Sequence, residues 1–372
     1  MTKILFFIHD LGQGGAEKVL VNLVNNMDRS KFDITVMAQF GGGVNEQFLA
    51  PHIKYVCCHK RAFRGNSHIM KLFSPKTLYK HYIKEHYDIA VSYLEGPSAR
   101  IISGCPDRDT KLVSWIHSNQ NEKSAAAPFR SMKEAQKCYG CFDRTICVAQ
   151  SVLQNFTSLF SIDKPAEVLY NTNETDKIIE MSDKPICEGI FCDDEVKLIG
   201  VGSLKPVKGF DRLIRIHEKL LRGGYPVHTY ILGNGCLKDE LEEDINNRGL
   251  KSSITLLGYQ TNPYKYVKGC DLFVCASHAE GFSTAATEAL IVGTPVCTVE
   301  VSGMKEMLGD NNEYGVVTEN NDEALYEGIK RLLDNSELLE HYKRKAIERG
   351  KFFSTEQTVK AVEQMMMSLL RG

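Results

Sequence analysis

The sequence predicts an α/β protein built from two doubly wound parallel sheets. Three observations carry that prediction. The chain has 372 residues, too many for one ordinary core and enough for two domains of about 150–200 residues each. Short β-branched and apolar runs alternate with longer amphipathic stretches, the pattern of successive βαβ units. The alternation breaks once, over Asn173–Glu195, and then begins again.

In the first half, strands are expected near Ile4–Ile8, Asp33–Ala38, Ile53–Cys57, Ile89–Tyr93, Lys111–His117, Arg144–Ala149 and Val168–Tyr170. Helical patterns fall between several of them, at Ala16–Asn26, Pro75–Glu85 and Phe129–Tyr139. The second half places strands at Val196–Gly202, Thr229–Leu232, Ile254–Gly258, Leu272–Ala276 and Pro295–Val299, with helices at Phe210–Leu221, Leu237–Asn247 and Ser283–Val292. The charged, Pro-containing span Asn173–Glu195 reads as the connection between domains 1–175 and 190–350. From about Asp322 only helix follows, and the last one, 354–372 with Ser354 as its cap, can pack back on the first domain.

Composition narrows the functional class. Hydrophobic content of 43% and charged content of 25% are those of a globular enzyme, and a net charge of −2 gives no field for nucleic acid. The apolar run Ile4–Ile8 is too short for a secretion signal or a membrane span, so the cytoplasm is the expected location. Twelve cysteines are scattered, several inside strand-like runs, as buried thiols are. Cys138-Tyr-Gly-Cys141 has redox or zinc half-site spacing but no second pair.

The chemistry-bearing residues stand at predicted strand ends. After the first strand comes His9-Asp-Leu-Gly12-Gln-Gly14-Gly15-Ala-Glu17, a glycine turn leading into a helix whose N-terminus attracts anions. Its spacing is not the dinucleotide fingerprint. The second half opens with Gly202-Ser203-Leu-Lys205-Pro-Val-Lys208-Gly209, a strand-to-helix turn carrying two lysines suited to a diphosphate. Gly233-Asn-Gly235 and Gly258-Tyr259 end later strands, the latter able to border a planar base. In Ser277-His-Ala-Glu280-Gly281-Phe282-Ser283-Thr284-Ala-Ala-Thr287-Glu288, two carboxylates flank backbone donors at a helix start, an arrangement fit for a sugar joined to phosphate. His117 closes a parallel strand, where ligands of such sheets bind.

Taken together these motifs resemble glycosyltransferase family 4, the large retaining group of GT-B enzymes with two Rossmann-like domains facing a central cleft. The resemblance rests on Gly14-Gly15-Ala16-Glu17, His117-Ser118-Asn119, Lys208-Gly209, Gly233-Asn234-Gly235, the Glu280/Glu288 pair, Gly293-Thr294-Pro295-Val296 and Ser302-Gly303-Met304-Lys305-Glu306, and so spans nearly the whole chain. It implies that Gly14 and Gly15 approach a donor diphosphate, that His117 lies near the transferring sugar and that Lys208 pairs with the phosphates. Glu280 would hold sugar hydroxyls beside the backbone of Gly281, Phe282, Ser283 and Thr284. Glu288 would accept from the ribose, with Gly233 and Tyr259 around the base. Such enzymes need neither metal nor bound cofactor beyond the nucleotide sugar, and no Asp-x-Asp motif that would hold a metal is expected here. A uridine nucleotide is favoured by the resemblance alone. Where the family commonly carries arginine this chain has Ser203, leaving Lys205 as a point charge without the bidentate fork.

One segment departs from the bulk charge. From Lys54 to Lys84 there are eight Lys or Arg and no Asp or Glu, interleaved with Phe63, Ile69, Met70, Leu72, Phe73, Tyr79 and Tyr82. Such a stretch suits an anionic membrane surface or the head group of a lipid-linked glycan. The expected activity is therefore retaining transfer of a hexose or N-acetylhexosamine from a nucleotide sugar to a glycan acceptor, on the inner face of the cytoplasmic membrane. Two rivals share the architecture: a sugar-nucleotide 2-epimerase, and a non-catalytic nucleotide-sugar binding protein, to which Ser203 lends support.

Overall fold

A computed structural model describes residues 1–12, 14–61, 69–186, 189–191 and 194–371. Arg64 and Phe63 of the basic stretch, and Cys187 and Cys192 near the connection, lie outside them. The chain forms two compact units, Met1–Thr172 with Thr355–Gly372, and Asn173–Ser354.

The first unit is a seven-stranded parallel sheet in the order β3-β2-β1-β4-β5-β6-β7. Its strands are β1 (Thr2–Ile8), β2 (Phe32–Phe40), β3 (Lys54–His59), β4 (Ile89–Ser92), β5 (Lys111–Ile116), β6 (Arg144–Cys147) and β7 (Ala166–Val168). β1 is an inner strand, paired with β2 on one side and β4 on the other, and Ile4, Leu5, Phe6, Phe7 and Ile8 are all fully buried. A strand covered on both faces must be apolar at every position, which is why this run does not alternate. The terminal helix Thr355–Arg371 belongs to this unit; its Glu363 accepts from the Asp28 backbone N–H at 2.7 Å.

The second unit is a six-stranded parallel sheet, β10-β9-β8-β11-β12-β13. It comprises β8 (Val196–Val201), β9 (Val227–Leu232), β10 (Ile254–Gly258), β11 (Leu272–Cys275), β12 (Val296–Val299) and β13 (Val316–Thr318). Helix Phe210–Arg222 buries Phe210, Leu213, Ile214, Ile216 and Leu220, an apolar stripe at helical spacing that covers the sheet.

Two expectations are corrected. The span Asn173–Glu195 is not wholly a connection, because Thr175–Ser182 is a helix of the second unit. Ile178 packs on Tyr264 and Ile291, and Asn262 Nδ2 donates to the Met181 carbonyl at 2.8 Å. Its short apolar pattern is hidden among charges. The sheet also gains β13, three residues long and too short to show a period of two.

Candidate active site

In the second unit the strand order reverses at β8: β9 and β10 lie on one side, β11 on the other. Such a reversal, outside the carboxyl ends of the strands, is where open α/β sheets bind ligands. The turn after β8 carries Lys208 and the loop after β11 carries Glu280. They meet: Lys208 Nζ lies 2.6 Å from Glu280 Oε1, and the Ser277 hydroxyl donates to the same oxygen at 2.7 Å. The pair is well covered, with side-chain exposures of 26% and 9%. Because Oε1 takes both bonds, Glu280 Oε2 and two ammonium hydrogens are left without a partner among the described residues. Around the pair is a shallow hollow open to solvent, lined by Val201, Cys275, Ser277 and Ser283.

Backbone geometry brings the two turns together. Gly209 has φ +64°, and a Cβ there would lie 2.1 Å from the Ala276 carbonyl oxygen. The His278 N–H donates to the Val207 carbonyl at 2.8 Å. Arg212, 5% exposed, laces the arrangement from below. It donates to the Ala276 carbonyl at 3.2 Å, Asn320 Oδ1 at 2.8 Å and Asp322 Oδ1 at 2.9 Å, and its Nη2 is 3.1 Å from His278 Nδ1.

The other predicted donor-side residues are distributed around these turns. Ser203 is half-buried and Lys205 exposed. Gly233 has φ +145°; a Cβ would meet the Gly202 carbonyl oxygen at 1.8 Å, and its own N–H donates to the Gly258 carbonyl at 2.9 Å. The ends of β8, β9 and β10 are thereby joined, with Tyr259 49% exposed beside them. Gly281 is half-buried, whereas the Phe282 ring packs on Phe353 at 5.6 Å, so only the backbone of Phe282 is left for a ligand. Ser283 is consumed as the cap of helix Thr284–Ile291, accepting from Ala286 N at 3.4 Å. Glu288, expected to face a crevice, is 6% exposed.

The first unit has its own reversal, between β1 and β4. Gly14 precedes helix Gly15–Asn26 in extended backbone, with the Glu17 carboxylate where a Gly14 side chain would go. His117 follows β5. Its backbone N–H donates to Glu95 Oε2 at 2.9 Å, and the Ser118 hydroxyl donates to Glu95 Oε1. The ring packs on Tyr93, centroids 4.8 Å apart. Burial pulls the imidazole down to about 3, although a hydrogen bond to the Tyr93 backbone acts the other way. Nε2 is buried without a partner among the described residues, so the neutral ring bonds Tyr93 through Nδ1 and offers Nε2 as an acceptor. An acceptor of that kind suits a hydroxyl and not a phosphate. Burial also raises the Glu95 carboxyl above the usual range.

Sequence reasoning missed Glu95, Ser277 and Arg212. Glu95 stands just beyond a predicted strand end, the same signal that singled out His117; Arg212 is a charge on the apolar stripe of its helix. An Asp-x-Asp spacing does exist, Asp107-Arg108-Asp109, but it leads into β5 and so stands at the opposite end of that strand from His117. Asp107 accepts from Asp109 N–H at 3.0 Å and lies 2.8 Å from the His86 ring. Cys138 and Cys141 are thiols raised by burial, Cys138 to about 11, contrary to what a redox pair needs.

Two family models match the chain, Glycosyltransferase Family 4 over residues 13–177 and Glycosyl transferases group 1 over residues 190–349. The chain belongs to glycosyltransferase family 4. This glycosyltransferase is 29% identical over 365 residues to the Campylobacter jejuni N-acetylgalactosamine-N,N'-diacetylbacillosaminyl-diphospho-undecaprenol 4-alpha-N-acetylgalactosaminyltransferase, covering 95% of this chain and 96% of that one. A Staphylococcus aureus poly(ribitol-phosphate) alpha-N-acetylglucosaminyltransferase is 28% identical over 154 residues, 41% of this chain and 31% of that one. The crystal structure of Anabaena Alr3699/HepE in complex with UDP has the same fold, with a TM-score of 0.79 at 18% identity, covering 98% of this chain and 100% of that one. The two Rossmann-like sheets are those of the GT-B architecture.

Proposed function

We propose that this enzyme transfers a hexose or N-acetylhexosamine from a UDP-sugar to a hydroxyl of a lipid-linked glycan in surface polysaccharide synthesis, with retention at the anomeric carbon. The observation that carries the reading is the Lys208–Glu280 pair at the strand reversal, an ammonium for a diphosphate beside a carboxylate for sugar hydroxyls. Departure of the nucleotide diphosphate leaves negative charge, which Lys208 and the N-terminus of helix Phe210–Arg222 offset. The Campylobacter relative's name gives an undecaprenol-diphosphate-linked acceptor, which supports a lipid-linked acceptor here. In this reading the basic stretch Lys54–Lys84 faces an anionic membrane. No helix among the described residues is long and apolar enough to cross one.

A panel of nucleotide sugars with and without an undecaprenyl-diphosphate-linked glycan tests the proposal. Nucleotide release that depends on both donor and acceptor supports transfer. Epimerised sugar nucleotide recovered without acceptor points to the epimerase, and binding without release to a non-catalytic protein. Because charge is offset by protein groups, the reading also takes catalysis to need no metal or bound cofactor. Turnover is expected to survive EDTA; its loss and recovery on adding magnesium or manganese would contradict that assignment.

A further inference from the structure

The basic stretch has an apolar tip. Residues 69–73 form a turn in which Leu72 N–H donates to the Ile69 carbonyl at 3.0 Å and Phe73 N–H to the Met70 carbonyl at 3.2 Å. Ile69, Leu72 and Phe73 are 48%, 76% and 47% exposed. One exposed apolar residue is ordinary; three within five positions form a patch.

The turn is held from inside. Arg100, 1% exposed, donates to the Met70 carbonyl at 2.9 Å and the Phe73 carbonyl at 2.8 Å, and Glu134 balances its charge at 3.0 Å. Arg130 donates to the Lys71 carbonyl at 2.5 Å and the Leu72 carbonyl at 3.0 Å. Two guanidinium groups thus fix four successive carbonyls, and three large apolar side chains stay in water. Fixing the backbone of the turn beforehand lowers the entropy lost when its side chains are covered.

The charges beside the tip are unevenly committed. Lys54 is taken by Glu85 at 2.8 Å. Ser74 caps helix Pro75–Tyr82, which sets Lys76 and Lys80 one turn apart with Lys84 following, all exposed. Lys71, Lys76, Lys80 and Lys84 have no acidic partner among the described residues. Lys84 Nζ donates to the Lys80 carbonyl at 2.5 Å, which leaves its charge without a counter-ion among the described residues. Apolar residues at the water boundary, with lysines that lack acidic partners beside them, match one surface chemistry, acyl chains beneath phosphate head groups.

We propose that Ile69, Leu72 and Phe73 insert into the interfacial layer of an anionic bilayer while Lys71, Lys76, Lys80 and Lys84 meet its phosphates. This rests on the membrane-facing reading given above and adds to it a salt-resistant apolar anchor. Each lysine contributes about fivefold in partitioning, lost as the Debye length shrinks from ~10 Å at 0.1 M salt to ~3 Å at 1 M; the anchor is not screened.

The test is sedimentation with phosphatidylglycerol-containing and phosphatidylcholine vesicles at both salt concentrations. It compares wild type, Leu72→Ser/Phe73→Ser and Lys76→Glu/Lys80→Glu/Lys84→Glu, each checked for unchanged melting. Wild type is expected to bind the anionic vesicles and keep residual binding at 1 M salt. The serine pair should lose about tenfold or more at both salts, residual binding included. The glutamate variant should lose binding mainly at 0.1 M. A serine pair that sediments like wild type at both salts overturns the anchor and leaves the electrostatic reading standing. Failure of wild type to sediment on either vesicle overturns both.

Discussion

Lys208→Ala and Glu280→Gln are each expected to lower kcat/KM by about 10²-fold or more at saturating acceptor, the loss that follows removal of one preorganised charged contact from a transition state. The ion pair makes the two variants differ in stability, which the sequence alone does not anticipate. In Lys208→Ala the Glu280 carboxylate, 9% exposed, keeps among the described residues only the Ser277 hydroxyl. An under-satisfied buried acceptor costs about 1–3 kcal/mol, which lowers Tm by roughly 3–10 °C for a unit of this size. Glu280→Gln keeps the shape and leaves an ammonium that is 26% exposed and can reach water, so its melting temperature should stay closer to wild type. The double variant Lys208→Met/Glu280→Gln removes both charges; it should regain most of the stability and none of the activity. Steady-state kinetics and calorimetry on the four proteins check this. Near wild-type turnover in either single variant would remove the pair from the donor site.

Strand-end chemistry was readable because parallel sheets put ligands at carboxyl ends. A glycine or lysine just past an apolar run is therefore informative, and Lys208, Gly233 and Glu280 all stand at such positions. What the linear pattern does not carry is which strand ends are neighbours. Lys208 and Glu280 are 72 residues apart, and they meet only because β11 pairs with β8 and not with β10. Glu95 was equally hidden, since its role is to accept from His117 and Ser118 one strand away. The basic stretch shows the reverse failure. A window that begins at Lys54 stops one residue short of its counter-ion Glu85, and an exposed turn such as Ile69–Phe73 has the composition of a core segment. Burial of a polar group, as at Arg212, is likewise invisible until the sheet that covers it is known.

Gly209→Ala is expected to cost both stability and activity, for a reason that a control separates. At φ +64° any L side chain is strained by about 1–2 kcal/mol. A methyl at this position would also come 2.1 Å from the Ala276 carbonyl oxygen, a backbone atom that cannot rotate aside. The turn after β8 and the loop after β11 must then separate, stretching the His278–Val207 and Arg212–Ala276 hydrogen bonds and moving Lys208 relative to Glu280. Together these lower Tm by roughly 5–10 °C, and a shift of about 1 Å in a charged group can cost up to 10²-fold in turnover. Gly224 supplies the control: its φ is +82°, and a Cβ there meets nothing within 4 Å. Gly224→Ala carries the conformational strain without the clash, and should lose a few degrees of Tm while keeping wild-type kcat/KM. If Gly209→Ala loses stability to the same extent as Gly224→Ala and keeps full activity, the close approach of the two turns does not position Lys208.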